Sequence, residues 1–214
     1  MKAELALPGV VHLSFPSRKE MTLSMCRAQE HYEAASDLLR GKYFSWETFL
    51  DSFADDDGKI DYFSFWSGFN FPGDAYQSFI DLFHHDLSRR ERAVKAAVEA
   101  AADTRAPFYV IGTLDGATET IRHELLHALY HVNKGYRREA VSLVLDMDHR
   151  VRQKIHNGLT GLGYGENVIH DEIQAYLGSG GVDELNRRFG MTESDSLNQC
   201  PPFRDLAARH LAAV

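Results

Sequence analysis

The chain has 214 residues, 44% of them apolar and 25% charged, with a formal net charge of −8. That size and balance fit a single globular domain over residues 1–214, with an aromatic-rich N-terminal part (1–86) and a helical part (87–214). The acidity speaks against a general nucleic-acid binder, and no run of roughly 18 apolar residues offers a membrane span.

Two cysteines, Cys26 and Cys200, are too few for a disulfide framework. The first residues lack the apolar stretch of a signal peptide. A cytoplasmic protein is therefore expected.

Residues 1–25 hold short apolar runs, such as Val10-Val11-His12-Leu13, broken by Pro8 and Pro16. Irregular structure with one strand is expected there. Cys26–Arg40 is compatible with a helix: Ala28, Tyr32, Ala35 and Leu39 recur at helical spacing, and Gly41 suits its stop. Between Tyr43 and Phe83 lie 14 of the chain's 24 aromatic residues, a density that marks core more readily than a substrate cleft. Phe63, Phe65, Phe69 and Phe71 fall on alternate positions, which reads as one or two strands with an apolar face. Asp55-Asp56-Asp57-Gly58-Lys59-Ile60-Asp61 resembles a calcium loop only at first sight. With Gly58 as the sixth residue, Phe53 and Ser64 occupy the two positions where carboxylates are essential, so the segment reads as an acidic turn.

Leu87–Ala102 is Ala-rich, carries Arg and Glu in pairs, and contains neither Gly nor Pro: a helix. Phe108–Gly112 reads as a short strand, Asp115-Gly116 as a turn, and Thr118 as the cap of the next helix. That helix contains His123-Glu124-Leu125-Leu126-His127, an HExxH pattern. Ile121, Leu125, Ala128 and Val132 form its expected core stripe, with both histidines off the stripe and facing a cleft. His123 and His127 lie one turn apart on the same helix face, a spacing at which two imidazoles can hold one zinc ion. Glu124 is turned about 100° from His123, beside such an ion, where it could take a proton from a water the metal activates.

Asn133-Lys134-Gly135 ends this helix. A second runs from Tyr136 to His156 with Ala140, Val144, Met147 and Val151 as its stripe. Gly158, Gly161, Gly163 and Gly165, with Tyr164 among them, read as a loop. They lack the strand–turn–helix order and the Lys of a phosphate-binding loop. Glu166–Leu177 is a third helix, closed by Gly178-Ser179-Gly180-Gly181, and Val182–Phe189 and Phe203–Ala213 finish the chain.

A catalytic zinc takes three protein ligands and leaves one position open. His131, His149, His156, His170, Asp171 and Glu172 are the candidates for the third. His131 continues the i, i+4 series, but three histidines over two unbroken turns span about 12 Å, too far to converge on one ion. Glu172 borders the apolar stripe Ile169, Ile173 and Tyr176, and a carboxylate beside a buried stripe needs a strong partner. A metal ion would supply one, and so would an arginine.

On His123, Glu124, His127 and Glu172, the segment from about 108 to 178 resembles the gluzincin zinc metallopeptidases, which join an HExxH helix to a Glu on a later helix. The resemblance implies an α+β, zincin-like fold, mostly helical after an aromatic-rich, partly β N-terminal region. It implies zinc as cofactor, His123, His127 and Glu172 as ligands, and Glu124 as general base. Phe108–Gly112 resembles the edge strand that lies beside the substrate in such enzymes. The chain departs from some members at Tyr176, one turn after Glu172, where they keep an Asp.

The expected activity is hydrolysis of peptide bonds in a peptide or protein substrate, with no nucleic-acid or membrane partner. Tyr136, Tyr164, Tyr176 and His170 are candidates to stabilise the oxyanion. The rival reading is a non-catalytic binding or regulatory protein on the same scaffold, with the fourth metal position closed by Cys26 or another His. A metal-free helical protein with a chance motif is the third.

Overall fold

The computed structural model describes residues 1–34, 36–103, 106–162, 164–166 and 168–211, and of Phe65 the backbone alone. Ala35, Gly163 and Ala213, assigned from sequence to a helix stripe, a loop and a last helix, lie outside the described residues, as does the side chain of Phe65. The described chain is α+β and mostly helical, with eleven helices and one small four-stranded mixed sheet. It divides into two units, residues 1–121 and 122–214. The helix expected at Leu87–Ala102 belongs to the first unit, together with the aromatic block.

In the first unit, β1 (Lys2–Leu7) and β2 (Val10–Phe15) form an antiparallel hairpin where one strand was expected. The turn is Pro8-Gly9, with Gly9 at φ 77°, a conformation that glycine adopts without a Cβ clash. β1 escapes a periodicity reading because it is an edge strand, exposed along most of its length. β3 (Gly68–Pro72) and β4 (Tyr109–Leu114) complete the sheet in the order β1-β2-β4-β3. β4 runs parallel to β2, with Val10 opposite Tyr109, and antiparallel to β3. It is therefore an inner strand, not the edge strand that the resemblance implied. Its residues Tyr109–Thr113 are all buried, as an inner strand with both faces covered requires. Gly112 leaves room for Met25: a Cβ there would lie 2.1 Å from the Met25 sulfur.

α1 (Arg18–Glu33) starts and ends earlier than the expected Cys26–Arg40. Ser17 sets the start, its hydroxyl accepting the Glu20 N–H at 3.3 Å. Leu39 is buried from the turn that follows the helix. The aromatic block folds mainly as helices: α2 (Trp46–Phe53), α3 (Tyr62–Phe65) and α4 (Gly73–Phe83). The strand reading holds for Phe69 and Phe71, both buried on β3, whereas Phe63 stands on α3. The block is core, as its density implied. Phe44 meets Phe83 edge-on at 5.1 Å and Phe49 meets Tyr62 likewise at 5.2 Å, the arrangement that ring quadrupoles favour. The acidic segment is a turn, with Asp55 Oδ1 accepting the N–H groups of Asp57 and Lys59. α5 (Arg89–Ala101) opens with a reciprocal capping box between Ser88 and Glu91.

α6 (Thr118–Val132) carries the HExxH residues; Thr118 is its first residue rather than its cap. The helix expected over Tyr136–His156 is two, α7 (Lys134–Asp146) and α8 (His149–Gly161). Asp148 makes the break by accepting the Val151 N–H at 3.1 Å. The stripe Ala140, Val144, Met147 and Val151 is buried throughout, so the break keeps both helices on one core. Gly158 and Gly161 belong to α8, and Gly158 lets the Phe189 ring approach.

α9 (Ile169–Ser179) and α10 (Val182–Phe189) follow, the latter ending at Gly190 with φ 63°. α11 (Glu193–Leu211) begins ten residues before the expected Phe203. Thr192 and Asp195 cap each other at its start, at 3.0 Å both ways, and the helix passes through Pro201 and Pro202. Ile155, Leu159, Ile173, Leu177, Leu185 and Phe203 centre the core of the second unit. Cys26 and Cys200 are buried and free. Among the described residues, no helix is long and apolar enough to cross a membrane.

Candidate metal centre

The buried face of α6 differs from the expected one. Ile121, Leu125 and Val132 are only half-buried, whereas Glu124, Leu126, His127, Ala128 and Leu129 are buried. Two polar residues of the motif, Glu124 and His127, thus sit inside, which is tolerable because α9 supplies a partner for His127 and His127 supplies one for Glu124. Gly178 on α9 allows the close approach: a Cβ there would lie 2.6 Å from Leu126 Cδ1.

Among the described residues, one group of metal-ligating side chains converges: His123 and His127 from α6 and Glu172 from α9. Their ligand atoms all lie within 4.8 Å of one another. The two Nε2 atoms are 3.2 Å apart, and Glu172 Oε1 lies 3.8 Å from His127 Nε2.

Each imidazole is held from behind. Asp171 Oδ1 is 3.0 Å from His127 Nδ1, and a carboxylate can only accept, so Nδ1–H donates. Ser179 Oγ is 3.1 Å from His123 Nδ1 and donates its one proton to the Ala175 carbonyl at 2.6 Å. Ser179 must therefore accept from His123 Nδ1–H. Both rings are left with Nε2 towards Glu172, the orientation that second partners impose on metal-binding histidines.

The electrostatics follow from this packing. Burial, the charge of His127 and Arg188 push the His123 pKa well below its ordinary 6.5. Burial also acts to lower His127, but the carboxylates of Asp171, Glu172 and Glu124 outweigh it and push the pKa up to about 10. Without a metal, the proton between the two Nε2 atoms belongs to His127, and three acidic side chains surround one imidazolium. Two nitrogen lone pairs and a carboxylate oxygen directed at one small space form a donor set that fits a divalent zinc ion.

Glu124 is buried on α6 beside both histidines, close enough to raise the His127 pKa. His131, His149, His156 and His170 are not in the convergent group. His149 and His170 are exposed, and His156 pairs with Glu166 at 3.0 Å. Asp171, weighed from sequence as a ligand, holds His127 instead. Of the candidate oxyanion donors, Tyr136 is buried with its hydroxyl on Gln174 at 2.6 Å. Tyr176 lies against the His123 ring at 4.8 Å and interacts with Tyr164.

Sequence reasoning missed Ser179, Gln174 and Arg188. The Arg188 guanidinium lies over the Tyr176 ring at 5.4 Å. No local pattern marks it, since it comes from α10. The adjacent carboxylates Asp171-Glu172 at the start of α9 were the one available signal for a ligand beside its neighbour's orienting partner. No protein-family model matches this chain, and no curated protein or solved structure matches it either.

Proposed function

We propose that this chain is a zinc-dependent metallopeptidase of the gluzincin type, on a zincin-like fold, acting on a peptide or protein substrate. The convergence of His123, His127 and Glu172, with Glu124 buried beside them, is the observation that carries the proposal. His123 and His127 would hold the ion through Nε2 and Glu172 through its carboxylate. A zinc ion held there supplies Lewis acidity, polarising the scissile carbonyl and acidifying water. Glu124 accepts the proton of the attacking water and passes it to the leaving amine. Burial keeps its carboxylate out of bulk solvent. Of the expected four donors for the carbonyl oxygen, Tyr176 is the one whose ring meets a candidate ligand, His123 at 4.8 Å; Tyr136 is engaged with Gln174, Tyr164 with Tyr176, and His170 is exposed.

The enzyme reading is favoured over a non-catalytic scaffold by the donor count and by Glu124. Three side chains converge, the number that leaves a position open for substrate. Cys26, which a closed site could have used, is part of the first unit's core.

The test is metal content followed by turnover. The purified chain should carry about one zinc, lost on joint His123→Ala and His127→Ala substitution. Glu124→Gln should keep the zinc and lose peptide hydrolysis by a factor on the order of 10²–10⁴. A chain that takes up no zinc, or a Glu124→Gln variant with unchanged turnover, would overturn the proposal.

A further inference from the structure

We infer that Gln174 and Tyr136 are positioning residues for His127, acting through Asp171 to fix which imidazole nitrogen faces Glu172. The inference rests on the reading of His127 as a ligand and extends it to two side chains outside the motif.

The network joins five residues on α9, α7 and α6. Gln174 Nε2 lies 3.2 Å from the Leu126 carbonyl oxygen and 2.9 Å from Asp171 Oδ1. Its Oε1 accepts the Tyr136 hydroxyl at 2.6 Å. Asp171 Oδ1 also faces His127 Nδ1 at 3.0 Å.

Each bond has one possible direction. A backbone carbonyl and a carboxylate only accept, so the amide nitrogen of Gln174 must point at Leu126 and Asp171. The flipped amide would set its oxygen against two other oxygens and its nitrogen against a hydroxyl that could no longer donate to Oε1. Tyr136 therefore donates to Gln174, Gln174 donates to Asp171, and Asp171 is left to accept from His127 Nδ1–H. The network ends with Nε2 of His127 as the atom facing His123 and Glu172.

Gln174 and Tyr136 are each 1% exposed, at the centre of a helical core where apolar side chains would pack without any polar cost. Tyr136 is itself fixed. Asn133 Oδ1 accepts its backbone N–H at 3.0 Å, and the His210 ring meets its ring edge-on at 5.3 Å. Two buried polar side chains that satisfy each other and terminate on a candidate ligand's orienting carboxylate make an outer shell of the kind that tunes metal affinity.

The test compares the native chain with Gln174→Met, Tyr136→Phe and Leu185→Ala. Leu185→Ala opens a cavity at a buried position of α10, which carries none of the network's residues, and reports purely structural damage. Zinc affinity would be read by competition with a chromogenic chelator, and melting temperature on the metal-free protein. Exchange of the His127 Nδ1–H proton would be followed by NMR, also without metal.

Gln174→Met should weaken zinc binding about 10- to 100-fold, and Tyr136→Phe about two- to tenfold, as for one lost neutral hydrogen bond. Both should speed Nδ1–H exchange, while Leu185→Ala lowers the melting temperature and changes neither. If Gln174→Met does not fold, Tyr136→Phe alone decides through the same two readouts. Native affinity and native exchange in the variants would overturn the inference. A native chain that binds no zinc would overturn the proposed function instead, and Nδ1–H exchange would still decide whether Gln174 and Tyr136 position His127.

Discussion

The Nε2 atoms of His123 and His127 face each other at 3.2 Å, while their Nδ1 atoms are engaged by Ser179 and Asp171. Two lone pairs at that separation repel unless a cation lies between them or one nitrogen carries a proton. A proton or a metal ion between them would relieve that repulsion, and under the proposed function the two compete.

Zinc binding should therefore release a proton. His127 is protonated up to about pH 10 in the metal-free protein, and coordination needs its bare Nε2. Between pH 6.5 and 9 the apparent zinc affinity should rise about tenfold per pH unit, the slope for one proton released. Calorimetry in buffers of different ionisation enthalpy would measure it directly. Affinity that does not change with pH over this interval would show that His127 is not a protonated ligand.

The metal-free fold should have its own pH optimum. The His127 pKa is raised from 6.5 to about 10, so its contribution is complete below pH 6.5 and is lost as pH rises towards 10. The His123 pKa is lowered well below 6.5, so as pH falls through 6.5 the unfolded chain takes up a proton that the folded chain refuses. Together they place the pair's greatest contribution near pH 6.5. Urea denaturation of metal-free protein across pH 5–10 should show that peak, flattened in the His123→Ala, His127→Ala variant. Identical profiles for the two would remove the pair from the linkage.

Ligand choice can be tested side by side. Glu172 belongs to the convergent group and His131, on the last turn of α6, does not. Glu172→Ala should weaken zinc binding severely and His131→Ala far less. In a zinc-bound crystal structure a Glu172 oxygen should lie about 2.0–2.2 Å from the metal. A histidine other than His123 or His127 on the ion, with Glu172 elsewhere, would refute the gluzincin assignment and leave zinc binding intact.

Stability of the first unit should hinge on Arg27. Its side chain is wholly buried, held by Glu91 through two bonds of 2.8 Å and by Asp86 at 2.7 Å. Trp46 and Phe83 lie about its guanidinium at 4.9 and 5.0 Å. Arg27→Met strands the buried Glu91 carboxylate and should cost about 3–5 kcal/mol. Adding Glu91→Gln should recover part of that loss, because the uncompensated charge is gone. Chemical denaturation checks both, and a double variant less stable than Arg27→Met would contradict this account.

The HExxH spacing, the stripe on α7 and α8, the extent of α10 and the core role of the aromatic block were legible in the amino-acid order. Each depends on contacts within a turn or on the type of side chain, and such interactions repeat with the period of the element. Even the choice of Glu172 over the other candidates could be argued from one helix turn, since a carboxylate bordering Ile169, Ile173 and Tyr176 demands a partner.

Contacts between distant segments decided the rest. The buried side of α6 could not be read from its apolar residues, because α9 rewards burial of His127 with a hydrogen bond and charge, and His127 in turn faces Glu124. The resemblance implies an edge strand at β4, whereas pairing with both β2 and β3 places it inside the sheet. The start of α1 and the break between α7 and α8 were set by the caps Ser17 and Asp148, whose strength depends on what the freed chain packs against. The orientation of His127 rests on Asp171, Gln174 and Tyr136, two of them on α9 and one on α7. A hydrogen bond between helices has no period along the chain, so only the folded arrangement brings its donor and acceptor into register.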